Sequence, residues 1–173
     1  MKLMSLDVSS TATGVAIIDI APNGKLTLLE TGLITTNYKR PIGERADKYI
    51  RDLFELLELH KPDEVVKEAT FQNRNVRASI LLNKWEGHTE YAVWNYGITH
   101  IPAYSPTAVK KAVTGNGRAS KQLVAEMLSE FIDVDVEGDM LGEDITDAIA
   151  VGITHLHKQG RLFPRSVYEE MER

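Results

Sequence analysis

The sequence predicts an α/β fold in which a mixed sheet carries helices on its faces. Apolar, strand-like segments occupy 2–8 and 14–20, and the polar turn between them is typical of a hairpin. Asn23-Gly24 is a second hairpin signal and leads into a third strand-like segment over 25–35. Helical and strand-like patterns then alternate along the chain. The consecutive hairpins predict three antiparallel strands, and the later alternation predicts further strands with covering helices.

The middle of the chain shows this alternation directly. Apolar residues recur at helical spacing over 46–57, and Pro62 ends that helix. A short buried strand is predicted over 63–69, a longer helix over 75–95 and another brief strand over 98–102. Each strand is therefore expected to be followed by a helix that packs on the sheet.

Three helices are predicted in the last third of the chain. Ser105 is a favourable N-cap and Pro106 suits a first helical turn, so a helix begins there and ends at Gly115. Ser120 begins the next helix, and the final helix is expected over 143–158. Two histidines near its end, His155 and His157, are typical of residues that serve the helix dipole or the surface.

Length and composition limit the possible classes of protein. At 173 residues the chain is expected to form one domain over 1–160, followed by a C-terminal tail over 161–173. The absence of cysteine excludes disulfides and thiolate zinc sites and fits a cytoplasmic protein. No apolar run is long enough to span a bilayer, so no membrane partner is expected. The net charge of −5 argues mildly against nucleic-acid binding, although the basic residues are unevenly distributed.

Four acidic residues stand beside apolar segments, where carboxylates are costly to desolvate unless they are paired, hydrogen-bonded or bound to metal. They are Asp7 in the first strand, Glu68 at the end of the fourth, and Asp144 and Asp147 in the final helix. Residues three apart on a helix share a face, so both late aspartates can point toward the sheet. Clustered carboxylates without cysteine suit hard cations such as Mg²⁺ or Mn²⁺.

Each acid also has a purely structural explanation. Asp7 could cap the following polar turn, and Glu68 could be an exposed strand end paired with Lys67. Asp144 and Asp147 resemble a capping box, because acids favour helix N-termini. These explanations are independent of one another, whereas a metal site explains all four residues together.

A basic segment over 107–121 is the second candidate feature. Its glycines would let a phosphate backbone come close, and its cations would neutralise phosphate charge. The cations within it are Lys110, Lys111, Arg118 and Lys121. A solvated helix face followed by a polar loop explains the same composition equally well.

A third candidate feature follows Glu68. Phe71 lies in a polar segment with Arg74 and Arg77 close behind it. An aromatic residue there could stack on unpaired bases, and the arginines could contact phosphate. Packing beneath a loop is the simpler explanation for Phe71 taken alone.

Two segments, 105–124 and 144–157, resemble in order and spacing the signature stretches of the RuvC-type Holliday junction resolvases, within the ribonuclease H-like superfamily. The resemblance runs from Asp7 to about His157, and the combination is far more specific than either segment alone. It implies a ribonuclease H-like α/β fold with a five-stranded mixed sheet flanked by helices.

The resemblance also implies an activity. It places the metal-binding and catalytic acids of the family at Asp7, Glu68, Asp144 and Asp147. It implies two Mg²⁺ ions per active site, with Mn²⁺ able to substitute, and a homodimer that resolves four-way DNA junctions by paired symmetric nicks in recombination and repair. Lys110 and Lys121 match the DNA-contacting lysines, and Phe71 matches the aromatic near the crossover. Further DNA contacts are expected from Arg74, Arg77, Lys111 and Arg118.

The sequence departs from the family pattern in places. Asp7-Val8-Ser9 stands where an Asp-Pro-Gly turn is usual, and the loop over 133–143 is unusually acidic. These departures predict a divergent member, of phage or viral type, acting in the cytoplasm of a bacterial cell or an infected host. They affect sequence preference and junction selectivity more than the chemistry.

Other functions remain as alternatives at this point. A broader branched-DNA debranching nuclease or a ribonuclease H would use the same acids. A junction-binding protein without catalysis is a further alternative, although all four acids are present. The segment 7–14 also faintly resembles the phosphate-binding hairpin of actin-like ATPases. That class needs a second large domain, for which the chain has no room.

Overall fold

The fold is seen in a computed structural model, which describes residues 1–70, 75–133, 142–162 and 164. Five strands form one sheet in the order β3-β2-β1-β4-β5. The elements in chain order are β1 (Lys2–Asp7), β2 (Ala12–Ile20), β3 (Leu26–Thr35), α1 (Ile42–His60), β4 (Glu64–Glu68), α2 (Val76–Tyr96), β5 (Ala103–Tyr104), α3 (Pro106–Thr114), α4 (Lys121–Leu128) and α5 (Glu143–Lys158).

The pairing of the strands confirms the predicted mixed sheet. β1 pairs antiparallel with β2, and β2 pairs antiparallel with β3. β4 joins the other side of β1 in parallel, and β5 pairs in parallel with β4. Parallel neighbours end at the same edge, so the last residues of β1 and β4 come close together.

The predicted strand over 98–102 is wrong. The fifth strand is Ala103–Tyr104, and its pairing with β4 is framed by two backbone hydrogen bonds, from Lys67 to the Pro102 carbonyl and from Ala69 to the Tyr104 carbonyl. Pro102 has no N–H to donate, so the preceding apolar residues do not extend the ladder. Ile98 and Ile101 instead pack against the core on the α1–α2 side of the sheet.

Hydrophobic cores lie on both faces of the sheet. Alternate residues of β1 divide between them, with Leu3 in the core beneath α5 and Met4 and Leu6 in the core beneath α1 and α2. α5 is the central helix of its face, because every residue from Ala148 to Leu156 is buried. At Gly152 an added Cβ would lie 2.9 Å from Ser5 Oγ, so α5 rests directly on β1.

Side-chain caps begin α2, α3 and α4, the helices that carry predicted DNA-contacting residues. Ser105 and Ser120 accept hydrogen bonds from the backbone of the first turns of α3 and α4, as predicted. Asn75 caps α2 in the same way. Within the ranges described, none of the helices combines the length and apolar character needed to cross a membrane.

Candidate active site

The first two predicted acids lie at the ends of neighbouring parallel strands. Asp7 is the last residue of β1, and Glu68 is the last residue of β4. Side chains alternate along a strand, and Leu3 and Val66 belong to the core beneath α5. Asp7 lies an even number of residues after Leu3, and Glu68 lies an even number after Val66, so each acid is on the same face of the sheet as that core residue. Both acids therefore project toward the N-terminal end of α5.

The other two predicted acids begin α5. Asp144 and Asp147 are three residues apart, in the first two turns of the helix. The helix approaches β2 closely here, since a Cβ added to Gly14 would lie 1.9 Å from the Asp144 carbonyl oxygen. Gly14 is paired with Asp7 across the β1–β2 ladder. The absence of a side chain at residue 14 therefore lets the start of α5 reach the end of β1.

Burial and neighbouring carboxylates raise the pKa of Asp7. Burial raises its pKa most, the charges of Asp147 and Asp144 raise it further, and Lys121 lowers it, with a result of about 7 instead of 3.8. Two aspartates of α5 therefore lie close enough to Asp7 to repel its charge.

Glu68 experiences the same environment. Burial is the largest cause of its raised pKa, followed by the charges of Asp7 and Asp147, and the pKa becomes about 7 instead of 4.5. Lys121 and Lys110 act in the opposite direction. The predicted acids from β1, β4 and α5 thus share one electrostatic site, with two predicted lysines beside it.

Lys121 bridges α4 to the start of α5. Its Nζ donates to Asp147 Oδ2 at 2.8 Å and to Glu143 Oε2 at 3.1 Å. The hydrogen bond to Asp147 is the largest cause of the raised pKa of Lys121. The lysine therefore places a positive charge against the carboxylate cluster.

Two of the structural explanations for these acids are wrong: the capping box at Asp144 and Asp147, and the pairing of Glu68 with Lys67. α5 has Gly142 as its N-cap and no side-chain capping bond, so Asp144 and Asp147 do not form a capping box. Lys67 is not a partner of Glu68, because it is buried on the other face and pairs with Glu86 and Glu90.

Hydrogen bonds from other residues stabilise the turn that follows Asp7. Thr13 Oγ1 accepts from the Ser9 backbone N–H and donates to the Ser9 carbonyl. Thr36 Oγ1 and the buried Arg45 guanidinium both donate to the Ser10 carbonyl. The carboxylate of Asp7 is therefore not needed as a turn cap.

The donor chemistry of the site fits a hard divalent cation. No three Asp, Glu or His side chains in the described ranges already converge on a common metal position. The charges of Asp144 and Asp147 raise the pKa of Asp7, and those of Asp7 and Asp147 raise the pKa of Glu68, so these carboxylates are near enough to repel one another. Lys121 supplies part of the positive charge that such a cluster requires. An all-oxygen set of this kind suits Mg²⁺ or Mn²⁺.

The remaining predicted DNA-contacting residues are spread over several segments. Lys110 lies near Glu68, whereas Lys111, Arg118 and Arg77 are exposed on α3, the α3–α4 loop and the start of α2. Phe71 and Arg74 lie outside the described residues.

His155 differs from its predicted role at the surface. It is 3% exposed, with Nδ1 2.8 Å from the Tyr104 hydroxyl and Nε2 2.6 Å from Glu64 Oε2. Gln159 Nε2 also donates to Glu64 Oε2 at 3.1 Å. These contacts fix α5 against β4, which ends at Glu68, and against β5, which pairs with β4. Burial in a nearly continuous apolar helix was the signal in the sequence, but nothing there identified Glu64 as its partner.

Comparisons with known proteins establish the family of the chain. The family model described as crossover junction endodeoxyribonuclease RuvC matches residues 3–155. A RuvC of Ehrlichia ruminantium is 34% identical over 161 residues, 91% of this chain and 97% of that protein. A RuvC of Dehalococcoides mccartyi is 31% identical over 159 residues, 92% of each chain.

Solved structures show the same fold. T. thermophilus RuvC in complex with a Holliday junction substrate superimposes with a TM-score of 0.83 at 25% identity, covering 95% of this chain and 99% of that one. The fowlpox virus Holliday junction resolvase shares the fold with a TM-score of 0.61 at 16% identity, covering 92% and 99%. The five-stranded sheet is thus ribonuclease H-like, as the resemblance implied. The chain belongs to the RuvC family of crossover junction endodeoxyribonucleases.

Proposed function

We propose that this protein is a metal-dependent endonuclease that resolves four-way DNA junctions by paired symmetric nicks. One observation carries the proposal. Acids from three separate elements, β1, β4 and α5, share an electrostatic site with Lys110 and Lys121 beside it, in a chain of the RuvC family. The expected substrate is a phosphodiester, because carboxylates that hold divalent cations beside lysines suit phosphate chemistry.

The proposed metal ligands are Asp7, Glu68, Asp144 and Asp147. Their oxygen donors favour two Mg²⁺ ions, with Mn²⁺ as a substitute. When bound, such a pair of cations supplies an activated water and stabilises the leaving 3′ oxygen. Asp7 and Glu68 end two neighbouring parallel strands, and Asp144 and Asp147 lie at the start of one helix, which supports this assignment.

The lysines are proposed to hold the DNA backbone. Lys110 and Lys121 lie close enough to lower the pKa of Glu68, so a phosphate bound between them would be next to the carboxylates. Lys111, Arg118 and Arg77 are exposed and would extend the contact outward. Phe71 and Arg74 complete the proposed DNA-binding set, and we propose that Phe71 stacks on a base at the crossover.

The proposed assembly is a homodimer formed through α2. Val76, Ile80, Tyr91 and Trp94 are large, exposed and apolar. They fall within roughly 60° of one another on a helix of 3.6 residues per turn. Gly87 lies on the same face, near the middle of the helix, and has open space around it. A two-fold contact centred there would cover the apolar face and pair two active sites for a four-way junction.

The proposed nuclease domain covers residues 1–160. Among the described residues the last element, α5, ends at Lys158, and the family model matches residues 3–155. Residues 161–173 are proposed to form a C-terminal tail outside the catalytic domain.

The test is cleavage of labelled DNA. A synthetic four-way junction, a fork, a flap and an RNA–DNA hybrid are incubated with the protein, with and without Mg²⁺, and the nicks are mapped. The proposal predicts Mg²⁺-dependent nicks at symmetric positions near the crossover, with the four-way junction preferred. Equal cutting of forks and flaps would favour a debranching nuclease, and preferred cutting of the hybrid would favour a ribonuclease H.

Two variants connect that activity with the site. Asp147→Asn is expected to abolish cleavage while leaving junction binding largely intact, because a proposed metal ligand is lost without adding negative charge. Asp47→Asn, in an exposed ion pair with Arg51 on α1, is the matched control and should cut normally. Mg²⁺-dependent cutting by Asp147→Asn would show that the site is wrongly placed.

A further inference from the structure

Glu143 precedes Asp144 in the first turn of α5 and is bonded to Lys121. The Lys121 ammonium is shared between two carboxylates, at 2.8 Å from Asp147 Oδ2 and 3.1 Å from Glu143 Oε2. The two acids differ in exposure: the Asp147 side chain is 23% exposed, and the Glu143 side chain is 79% exposed. Asp147 therefore faces the carboxylate cluster, whereas Glu143 lies at its solvent edge.

The hydrogen bonds from Lys121 to Asp147 and Glu143 affect how the lysine can bind DNA. A backbone phosphate can bind Lys121 only by displacing carboxylates that already accept its hydrogen bonds. Asp147 would be engaged by a metal ion, since it is one of the proposed ligands. Glu143 then remains as the acid that competes for the lysine. Its side chain is exposed and already bonded to the lysine, so it can compete with an incoming phosphate.

We infer that Glu143 competes with the DNA backbone phosphate for Lys121 and so limits the affinity of the enzyme for its substrate. The inference rests on the proposed function, in which Lys121 contacts DNA. It gives Glu143 a binding role that is separate from metal coordination, although the residue is adjacent to Asp144 in sequence. Its side chain acts through Lys121 and does not touch the reacting phosphate.

The size of the effect follows from the environment of the pair. Lys121 is 56% exposed and Glu143 is 79% exposed, so their ion pair is largely solvated. Exposed ion pairs contribute up to about 1 kcal/mol, which corresponds to a factor of about five in a binding constant. Glu143→Gln keeps the size of the side chain and removes the charge. It is expected to tighten junction binding about threefold to fivefold.

A double-mutant cycle tests the inference. Wild type, Glu143→Gln, Lys121→Ala and the double variant are titrated over a range of Mg²⁺ concentrations up to saturation. The ligand is a fluorescent four-way junction whose linkages near the crossover resist hydrolysis, so no cleavage occurs. The salt is about 0.15 M, at which charges more than about 8 Å apart are screened. Glu126→Gln is the matched control, because Glu126 is an exposed acid on α4 that bonds Gln122 and not Lys121.

The expected result is non-additivity. Glu143→Gln should tighten binding about threefold or more when Lys121 is present, and by clearly less in the Lys121→Ala background. Glu126→Gln should change affinity by less than Glu143→Gln does. Together these results would show that Glu143 acts through the lysine and not through the total charge of the protein.

Three results would overturn the inference. Equal tightening with and without Lys121 would mean simple charge repulsion. Weaker binding by Glu143→Gln would mean that Glu143 orients Lys121 for the phosphate. Unchanged DNA affinity with a higher Mg²⁺ requirement would make Glu143 a metal ligand. Failure of the proposed function is distinguishable, because wild type would then not bind the junction more tightly than a linear duplex.

Discussion

Gly14 of β2 lies directly beneath Asp144 of α5. A Cβ added at Gly14 would be 1.9 Å from the Asp144 carbonyl oxygen and 2.4 Å from its carbonyl carbon. Backbone atoms cannot rotate away as a side chain can, so any larger residue at 14 must move the helix. The same glycine is opposite Asp7 in the β1–β2 ladder. One small residue thus controls the distance between the acids of the sheet and those of α5.

Gly14→Ala is therefore expected to separate the proposed ligands. Overpacking of this kind costs about 1–3 kcal/mol, which lowers the melting temperature by several degrees in a domain of this length. Cleavage should fall by much more than the loss of folded protein explains, and the Mg²⁺ requirement should rise. Thermal unfolding and Mg²⁺ titrations of cleavage measure the two effects separately.

Gly32→Ala is the matched control for that prediction. Gly32 lies on the neighbouring strand β3, and an added Cβ there would meet nothing within 4 Å. Its variant should retain cleavage and Mg²⁺ requirement. Normal Mg²⁺ dependence in Gly14→Ala would mean that the α5 contact does not position the site.

The stability of the metal-free protein should depend on pH through Asp7 and Glu68. Their raised pKa values, both about 7, arise first from burial and then from neighbouring carboxylates. Between about pH 4 and 7 the folded protein holds protons that the unfolded chain has lost, so the free energy of unfolding falls as pH rises. In EDTA the melting temperature should therefore be lower at pH 8 than at pH 5.5, and Mg²⁺ should raise it most at pH 8.

Asp7→Asn isolates this contribution from other titrating groups. The variant should show a weaker decrease of melting temperature with rising pH and a smaller stabilisation by Mg²⁺. Asp47→Asn, on the exposed face of α1, should behave like wild type. The same pH profile in both variants would contradict the burial and repulsion described at Asp7.

The apolar face of α2 should control assembly. Trp94 is 63% exposed in the isolated chain, and its replacement by Glu would place a charge in the proposed two-fold contact. Sedimentation should show a dimer for wild type and a monomer for Trp94→Glu. Leu59→Glu changes an equally exposed residue on α1 and should leave the dimer intact. A Trp94→Glu dimer would place the interface elsewhere.

The buried His155 should stabilise the fold through Glu64 and Tyr104. His155→Leu removes the hydrogen bonds of the ring to Tyr104 and Glu64 and its contact with Gln159, and leaves these polar groups without that partner. The expected cost is about 2–3 kcal/mol in urea unfolding at pH 7. His157→Leu, at an exposed position on the same helix, is the control. Equal stability of the two variants would mean that the cluster contributes nothing.

The stability contributed by the contact between His155 and Glu64 should depend on pH. Burial alone would raise the pKa of Glu64, but hydrogen bonds from His155 and Gln159 outweigh it and lower the pKa below 4.5. Stability from the ionised carboxylate is present above the ordinary pKa and is lost as pH falls through the folded-state pKa. The gap in stability between wild type and His155→Leu should therefore narrow in acid. A gap that widened there would contradict the assigned charge state.

Much of this arrangement was predictable from local patterns. Strand alternation, hairpin signals and helix caps at Ser105 and Ser120 act over a few residues, so the sheet and most helices follow from the sequence. The final helix matches its predicted bounds of 143–158. The four acids stood out as candidates because each interrupts, ends or begins an apolar segment.

Long-range partners were not predictable in the same way. Glu64 and His155 are 91 residues apart, and only the packing of α5 on β4 brings them together. Lys67 was only one possible partner of Glu68, and it instead pairs with Glu86 and Glu90, since strand neighbours face opposite sides of the sheet. The fifth strand was displaced because its pairing depends on β4 and not on the apolar residues before Pro102.

Metal binding by the four acids is the central claim, and it can be measured directly. Crystals grown with Mn²⁺ and measured near the manganese absorption edge would locate each ion by anomalous scattering. The account predicts peaks bounded by the carboxylates of Asp7, Glu68, Asp144 and Asp147, lost in Asp147→Asn. Peaks elsewhere on the protein, or none at this site at saturating Mn²⁺, would contradict it.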